Sequence, residues 1–258
     1  MIDERAVIHP SAKIASDVQI GPWTLIGPDV EIDSGCWIGP HVVINGPTRI
    51  GKNNKIYQFA SVGEAPQDKR YQNEETRLEI GDHNTIREYC TLNRGTVQGA
   101  SVTRIGSYNL LMANVHIAHD CVIGDRIVFA NNTALAGHVI VKSYAILSGF
   151  TAIHQYCQIG EYSFISGGSL VTKDVPPYFL VTAGERRASA TGINSEGLRR
   201  NGFSAEAITA LQRAFRILYR KGLPLKEAMS QLQEMTATYP EVQLLVDFLF
   251  QSKRGIIA

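Results

Sequence analysis

Residues 105–158 read IGSYNL LMANVH IAHDCV IGDRIV FANNTA LAGHVI VKSYAI LSGFTA IHQYCQ, nine hexads that each open on an aliphatic or, once, a phenylalanine. The opening residues are Ile105, Leu111, Ile117, Ile123, Phe129, Leu135, Val141, Leu147 and Ile153, and the series continues through Ile159, Ile165 and Val171. Upstream, one residue out of phase, the same spacing runs from Ile8, Ile14 and Ile20 to Val62 and resumes at Ile80, Ile86 and Leu92. A period of six fits neither a helix nor a flat strand. It fits a short strand, a corner and another strand. Three hexads close a triangular coil, and coils stack at the β spacing of ~4.8 Å with the aliphatics inside. Glycine or another small residue often follows the aliphatic (Gly21, Gly39, Gly51, Gly81, Gly106, Gly124, Gly160). The position four after it is mostly small or asparagine. Cys36, Cys90, Cys121 and Cys157 all fall there, and none forms a CxxC pair. They read as buried thiols of a reducing compartment, not as a zinc knuckle or redox motif.

Two stretches break the period. Residues 64–79 would put Asp68 and Glu74 where interior aliphatics are due. An unpaired charge cannot stay there, so this segment is expected to leave the prism as a loop. A second, shorter extrusion is expected at 98–104. The repeat ends near Asp174-Val175-Pro176-Pro177, which divides the chain into a β-prism over 1–185 and a helical cap over 186–258. In the cap, Ser204 is an N-cap before the stripe Ile208, Leu211, Phe215 and Leu218, which Gly222 and Pro224 stop. A second helix starts near Leu225, and a third follows Pro240.

Composition sets further bounds. Net charge is +1, but residues 186–258 hold 11 Lys+Arg against 6 Asp+Glu, and the remainder holds 14 against 18. A basic cap on an acidic body points to an acidic or phosphate-bearing partner, or to a solvated helix face. No signal peptide and no apolar run of ~20 residues is visible, so a soluble, cytoplasmic protein is expected. Glycine-rich phosphate loops, GxSxG and HExxH are absent from the sequence, as is a basic array with interleaved aromatics.

Residues eighteen apart stack on adjacent coils, so His119, Gly137 and Gln155 share one column, and Asp120, His138 and Tyr156 the next. His116 and His154 adjoin them, which gathers four of the seven histidines within three coils. A neutral imidazole held by a carboxylate is a good general base near pH 7. A glycine amide one coil away can approach an oxyanion closely. Together they are equipment for acyl transfer to an alcohol. His116, His119 and His138 could instead supply three zinc ligands, as in hexapeptide-repeat carbonic anhydrases, but the spacing of those enzymes is not reproduced. No metal is expected.

Several motifs carry a resemblance. Ile117-Ala118-His119-Asp120, Asn131 through His138 and His154-Gln155-Tyr156 are similar to the acyl-carrier-protein–UDP-N-acetylglucosamine O-acyltransferases that begin lipid A synthesis. So are Pro66-Gln67-Asp68, Asn93-Arg94-Gly95-Thr96 and Asn194 through Arg200, so that the likeness runs nearly end to end. The resemblance implies a homotrimer of left-handed parallel β-helices with active sites between subunits. It also implies transfer of a 3-hydroxyacyl group from acyl carrier protein to the sugar 3-hydroxyl. No resident cofactor is implied, since the acyl group arrives on the carrier's phosphopantetheine.

By resemblance, His119 is the general base, Asp120 its orienting partner and the Gly137 amide the oxyanion hole. Gln67, Asp68, Arg70, His116, His138, His154 and Gln155 hold the sugar and diphosphate, and Asn194, Glu196 and Arg200 the nucleotide. Gly167, where relatives can carry a bulkier residue, sets acyl-chain length, and Arg199, Arg213, Arg216, Arg220 and Lys221 meet the acidic carrier. The chain departs from the family at Arg70 (lysine expected), Asn93 (often histidine) and Asn201 (often basic). The pathway's later N-acyltransferase shares repeat and base, but it carries an N-terminal uridine-binding domain, for which a repeat beginning at Ile8 leaves no room.

Overall fold

The computed structural model describes residues 1–185 and 187–258. The hexads form a left-handed parallel β-helix whose three faces are stacks of two- to five-residue strands. The first face holds nine strands, beginning with Val7–Ile8; the second holds eight, beginning with Lys13–Ile14; the third holds ten, beginning with Gln19–Ile20. Register follows the expected coil: Ile8 pairs with Ile26, Ile117 with Leu135, and Leu135 with Ile153. The hexad aliphatics from Ile20 to Val171 fill one continuous interior, and the four cysteines are buried and unpaired. Leu135 is fully enclosed. Leu135→Ala is therefore expected to cost about 2–5 kcal/mol, read as a lower urea midpoint at unchanged m-value.

Corners explain the other restricted positions. At Gly81 a Cβ would lie 2.8 Å from the Gly106 carbonyl oxygen of the next coil, so only glycine lets the two coils close. The third residue after most of the aliphatics turns through the left-handed region. Trp23, His41, Phe59 and Tyr89 do so with φ of 55–64°. That conformation costs roughly 1–2 kcal/mol per L-residue. Ring stacking at centroid distances of 5.0, 5.4 and 5.1 Å down this column offsets it. Asn54, Asn84 and Asn109 form an internal ladder in which each side-chain amide oxygen accepts the backbone N–H of the residue one coil on.

Both extrusions exist, with shifted bounds. Strands Ser61–Glu64 and Arg77–Ile80 flank the first, so the loop is 65–76 rather than 64–79. Leu78 is buried and pairs with Thr48 and Thr103, which draws 77–79 into the prism. The second loop is 94–101 rather than 98–104, because Asn93 ends one strand and Val102–Ile105 forms the next. These insertions change the stacking arithmetic: Ser61 pairs with Thr91, thirty residues on, and Thr91 with His116, twenty-five on.

The expected boundary at residue 186 falls on the one residue outside the described set. An antiparallel strand, Ser189–Ile193, pairs with Phe179–Thr182 and extends the third face beyond it. Four helices follow: α1 Ser195–Arg200, α2 Ala205–Tyr219, α3 Leu225–Thr236 and α4 Val242–Gln251. Ser204 caps α2, its Oγ accepting from the Ala207 amide at 3.1 Å. The helices share a second core with Tyr178, Phe179 and Ile193 of the last coil.

Outward residues change along each face. The second face presents Lys13, Glu31, Arg49, Glu79 and Arg104 on its first five strands, with Lys13–Glu31 at 2.6 Å and Arg104–Glu79 at 3.0 Å, and then Val122, Ile140 and Gln158. The third presents Gln19, Trp37, Lys55 and Thr85 and then Leu110, Val128, Ile146 and Phe164, and the first Leu25 and Val43, then Ser61, Thr91 and His116, then Ala134, Ala152 and Leu170.

Candidate active site

The corner between the first and second faces, after strand His116–Ile117, carries the histidine cluster. Asp120 takes the left-handed turn position with φ of 60°, and this turns its carboxylate back on its neighbour. His119 Nδ1 lies 2.8 Å from Asp120 Oδ2. Nδ1–H donates to the carboxylate, which leaves Nε2 with its lone pair free. Nε2 points toward Asp68 Oδ2 at 3.9 Å, so the 65–76 loop folds back onto this corner. Arg70 binds Asp68 through Nη2 at 2.7 Å and Nε at 3.2 Å. That guanidinium holds the Asp68 carboxyl well below the ordinary carboxylate range.

His138 stands one coil on, its ring perpendicular to His119 at 5.1 Å and stacked on Tyr156 at 4.4 Å. Its Nε2 is buried without a hydrogen-bond partner among the described residues. Burial pushes His138 below the ordinary imidazole value. His116 is lowered too, first by burial and then by the charge of His119, and its Nδ1 meets Thr91 Oγ1 at 2.7 Å. Both are therefore neutral at pH 7 and act as hydrogen-bonding groups.

Gly137 completes the corner. A Cβ there would sit 2.5 Å from His119 Cε1 and 2.7 Å from Nε2, so the ring occupies the space a side chain would need. The Gly137 carbonyl accepts from the Tyr156 amide, while its own N–H has no backbone acceptor among the described residues. An unpaired amide beside a free imidazole nitrogen suits a developing oxyanion.

The other expected residues divide. Gln67 and Gln155 are exposed, with no side-chain hydrogen bond among the described residues, and Gln155 follows Gly137 in the same column. His154 is exposed, with Nδ1 3.2 Å from the Gln155 carbonyl and 3.5 Å from Arg254 Nη2, and it makes no contact with His119. Asn194 caps α1: its Oδ1 accepts from Gly197 N and its Nδ2 donates to the Tyr162 carbonyl. Glu196 pairs with Arg199 and Arg200 inside that helix. No hydrogen bond or ion pair among the described residues joins these cap residues to the His119 corner. Arg199, Arg213, Arg216, Arg220 and Lys221 are all exposed. Gly167 lies on the third-to-first corner, across the first face from His119, where its Cβ would approach only the Gly149 carbonyl oxygen at 3.1 Å.

Of the departures, Asn201 has a local role: its Nδ2 donates to the Gly197 carbonyl at the end of α1. Asn93 donates to the Ala65 carbonyl at 2.8 Å, while its Oδ1 is buried and unpartnered among the described residues. Sequence reasoning missed Thr91 and Thr103, and it quoted Thr96 within the Asn93–Thr96 motif without giving it a role. Thr96 donates its N–H and hydroxyl to Asp120, and Thr103 Oγ1 accepts the Asp120 amide. The period gave no signal for them, because Thr96 and Thr103 stand 24 and 17 residues from Asp120 and Thr91 stands 25 from His116, none of them the spacing of a regular coil. His41 and His83, which lie outside the cluster, belong to the stacked corner columns.

His119, Asp120 and His138 lie close enough to hold a metal ion. Asp120 Oδ2 already receives His119 Nδ1–H and both Thr96 donors, so a cation would have to displace them. The donor set suits proton transfer better than metal ligation.

A family model described as Udp N-acetylglucosamine O-acyltransferase, domain 2, matches residues 174–257. One described as bacterial transferase hexapeptide (six repeats) matches 29–64 and 103–137. An acyl-[acyl-carrier-protein]–UDP-N-acetylglucosamine O-acyltransferase of Thiobacillus denitrificans is 57% identical over 256 residues, 99% of this chain and 98% of that protein. The enzyme of that name from Stutzerimonas stutzeri is 56% identical with the same coverage. Among solved structures, LpxA of Acinetobacter baumannii matches with a TM-score of 0.97 at 52% identity, covering 100% of this chain and 99% of that one. The UDP-N-acetylglucosamine acyltransferase of Francisella novicida matches with 0.98 at 43%, covering 100% and 94%.

Proposed function

The chain belongs to the UDP-N-acetylglucosamine O-acyltransferase family, and from that premise we propose that it moves a 3-hydroxyacyl group from acyl carrier protein to the 3-hydroxyl of UDP-N-acetylglucosamine, with His119 as general base. It is an O-acyltransferase of lipid A biosynthesis. The observation that carries the mechanism is the 2.8 Å contact of His119 Nδ1 with Asp120, which in the neutral ring puts the lone pair on Nε2, beside Gly137 with its free amide. His119 Nε2 takes the proton of the sugar hydroxyl as its oxygen attacks the thioester carbonyl. The Gly137 N–H receives the oxyanion. Collapse expels the carrier thiolate, which takes the proton back from the imidazolium, and the product is an ester. The unpaired His138 Nε2 and the exposed amides of Gln67 and Gln155 are suited to hold the sugar diphosphate, with His116 beside them. Asn194, Glu196 and Arg200 serve the nucleotide.

The working form is a homotrimer with sites between subunits. Its support is the apolar outward row Leu110, Val128, Ile146 and Phe164 on the third face and the small residues Ala134 and Ala152 on the first, beside the histidine cluster's coils. His119 and Gly167 stand on different edges of one prism, so a groove joining them must cross the first face under a neighbouring chain. The acyl chain needs no resident cofactor beyond the carrier's phosphopantetheine. The exposed cations of α2 fit the acidic carrier. No helix among the described residues is long and apolar enough to cross a membrane. The four unpaired thiols fit a reducing cytoplasm.

Transfer to UDP-N-acetylglucosamine from a series of 3-hydroxyacyl carrier proteins, after EDTA, is the test. Transfer that persists supports the reading, and no transfer with any donor rejects it. In the same assay Gly167→Met is expected to shift preference toward shorter donors by about tenfold or more, the lower end of what one methylene is worth in an apolar pocket. An unchanged preference removes Gly167 from the groove.

A further inference from the structure

The Asp120 carboxylate is held by more than its histidine. After Asn93 the chain leaves the ladder, and the Thr96 carbonyl accepts from both the Gly99 and Ser101 amides, at 3.0 Å each. This tight loop lays fully buried Thr96 over Asp120. Thr96 N–H reaches both carboxylate oxygens at 3.1 Å, and its hydroxyl donates to Oδ2 at 2.6 Å. Beneath, Thr103 Oγ1 accepts the Asp120 amide at 2.8 Å. Gly99 closes the cover: a Cβ there would lie 2.2 Å from Oδ1. The loop thus fixes the rotation of the carboxylate and leaves Oδ2 presented to His119.

We propose that Thr96 is a positioning residue of the acyltransferase, holding Asp120 through its hydroxyl so that His119 presents Nε2 to the substrate hydroxyl. This rests on the acyltransferase reading above and adds to it the part played by the 94–101 extrusion. The loop stands where a short corner joins the first and second faces in other coils, and it brings both an amide and a hydroxyl onto a carboxylate one coil away. Burial raises the Asp120 carboxyl, and the hydrogen bonds from His119 and Thr96 more than reverse this, leaving it below the ordinary value. Without the hydroxyl, the carboxylate loses a donor to its charge and binds the imidazolium proton more tightly.

Every charged or titratable group facing His119 enters the pH test. Asp120 lies on its Nδ1 side and Asp68 3.9 Å from Nε2. His138 stands 5.1 Å away, ring to ring, and His116 is on the preceding strand. Arg70 is bound to Asp68. Arg70 lowers the Asp68 carboxyl and burial lowers His116 and His138, while His138 Nε2 also lies 3.8 Å from the Asp120 Oδ2 that Thr96 holds, so His138 is followed beside His119 in the profile.

The experiment is the pH profile of acyl transfer for the parent enzyme and for Thr96→Val, Thr96→Ser and Gly99→Ala, with His119→Ala as reference. Thr96→Val keeps the backbone donor and is expected to lower kcat about tenfold, the scale of one hydrogen bond to a charged group. KM should change by less than about twofold, and the acidic limb of kcat/KM should move to higher pH. Thr96→Ser should restore rate and limb together. Gly99→Ala should lower kcat by a second route, through displaced Oδ1. An active parent with an unshifted limb and unchanged kcat in Thr96→Val overturns this assignment alone. A parent that transfers nothing, or a His119→Ala variant as fast as the parent, overturns the reading it rests on and the assignment with it.

Discussion

His119→Ala is expected to lower kcat by about 10² or more, the usual scale for loss of a general base, with KM for the nucleotide sugar changed by less than about threefold. The geometry sets that division. His119 Nε2 is the free nitrogen of a ring whose other nitrogen is occupied by Asp120 at 2.8 Å. The nitrogen that meets the hydroxyl proton thus acts on the transition state, whereas the sugar diphosphate is held by other groups. The fold should survive, because the His119 side chain lies outside the aliphatic interior built by Ile117, Leu135 and Ile153. Circular dichroism and the urea midpoint should match the parent within error. A kcat within twofold of the parent would remove His119 from the mechanism. A lost urea transition would instead mean that the ring is part of the packing.

Much of the fold was readable because the prism interior must be apolar at every third of a coil, and only a period of six keeps that over twenty-five positions. The extrusions were visible for the same reason: Asp68 and Glu74 could not occupy interior sites. Their bounds were less legible, since strands of four residues, such as Arg77–Ile80 and Val102–Ile105, replace the usual two beside each loop. Where the loops return was not legible at all. Eighteen-residue stacking correctly aligned His119 with Gly137, where no insertion intervenes. Across the loops the register becomes thirty and twenty-five, so Thr96 and Thr103 could not be placed over Asp120 by counting. The left-handed corners left a mixed signal. Asp29, Asn53, Asn114 and Asn132 are common residues for that conformation, but Trp23, Phe59 and Tyr162 are stabilised there by stacking across coils. Helix α1 has too few residues for an apolar stripe, and its Asn194 cap became visible only once the chain was folded.

Gly137→Ala is expected to lower kcat by about 10², the cost of displacing a catalytic group by about an ångström, and to do so through His119. The added Cβ meets three atoms of that ring, at 2.5, 2.7 and 3.1 Å, and they are its nearest neighbours. Gly137 is not among the residues with positive φ, so alanine brings no backbone strain and the urea midpoint should stay near the parent's. The ring must then leave Asp120 or tilt Nε2 away from the substrate hydroxyl. A double-mutant cycle separates this displacement from damage to the oxyanion amide. In a His119→Ala background the obstructing ring is gone. If Gly137 acts by leaving room for it, adding Gly137→Ala should cost less than about twofold more, since loss of the base has already been counted. If the second substitution still removes a further tenfold, alanine is disturbing the Gly137 N–H itself, and the oxyanion donor at this position needs the bare glycine for its own geometry. Because the two outcomes differ by a factor of five in residual rate, single-turnover measurement of thioester loss from the carrier resolves them even at low activity.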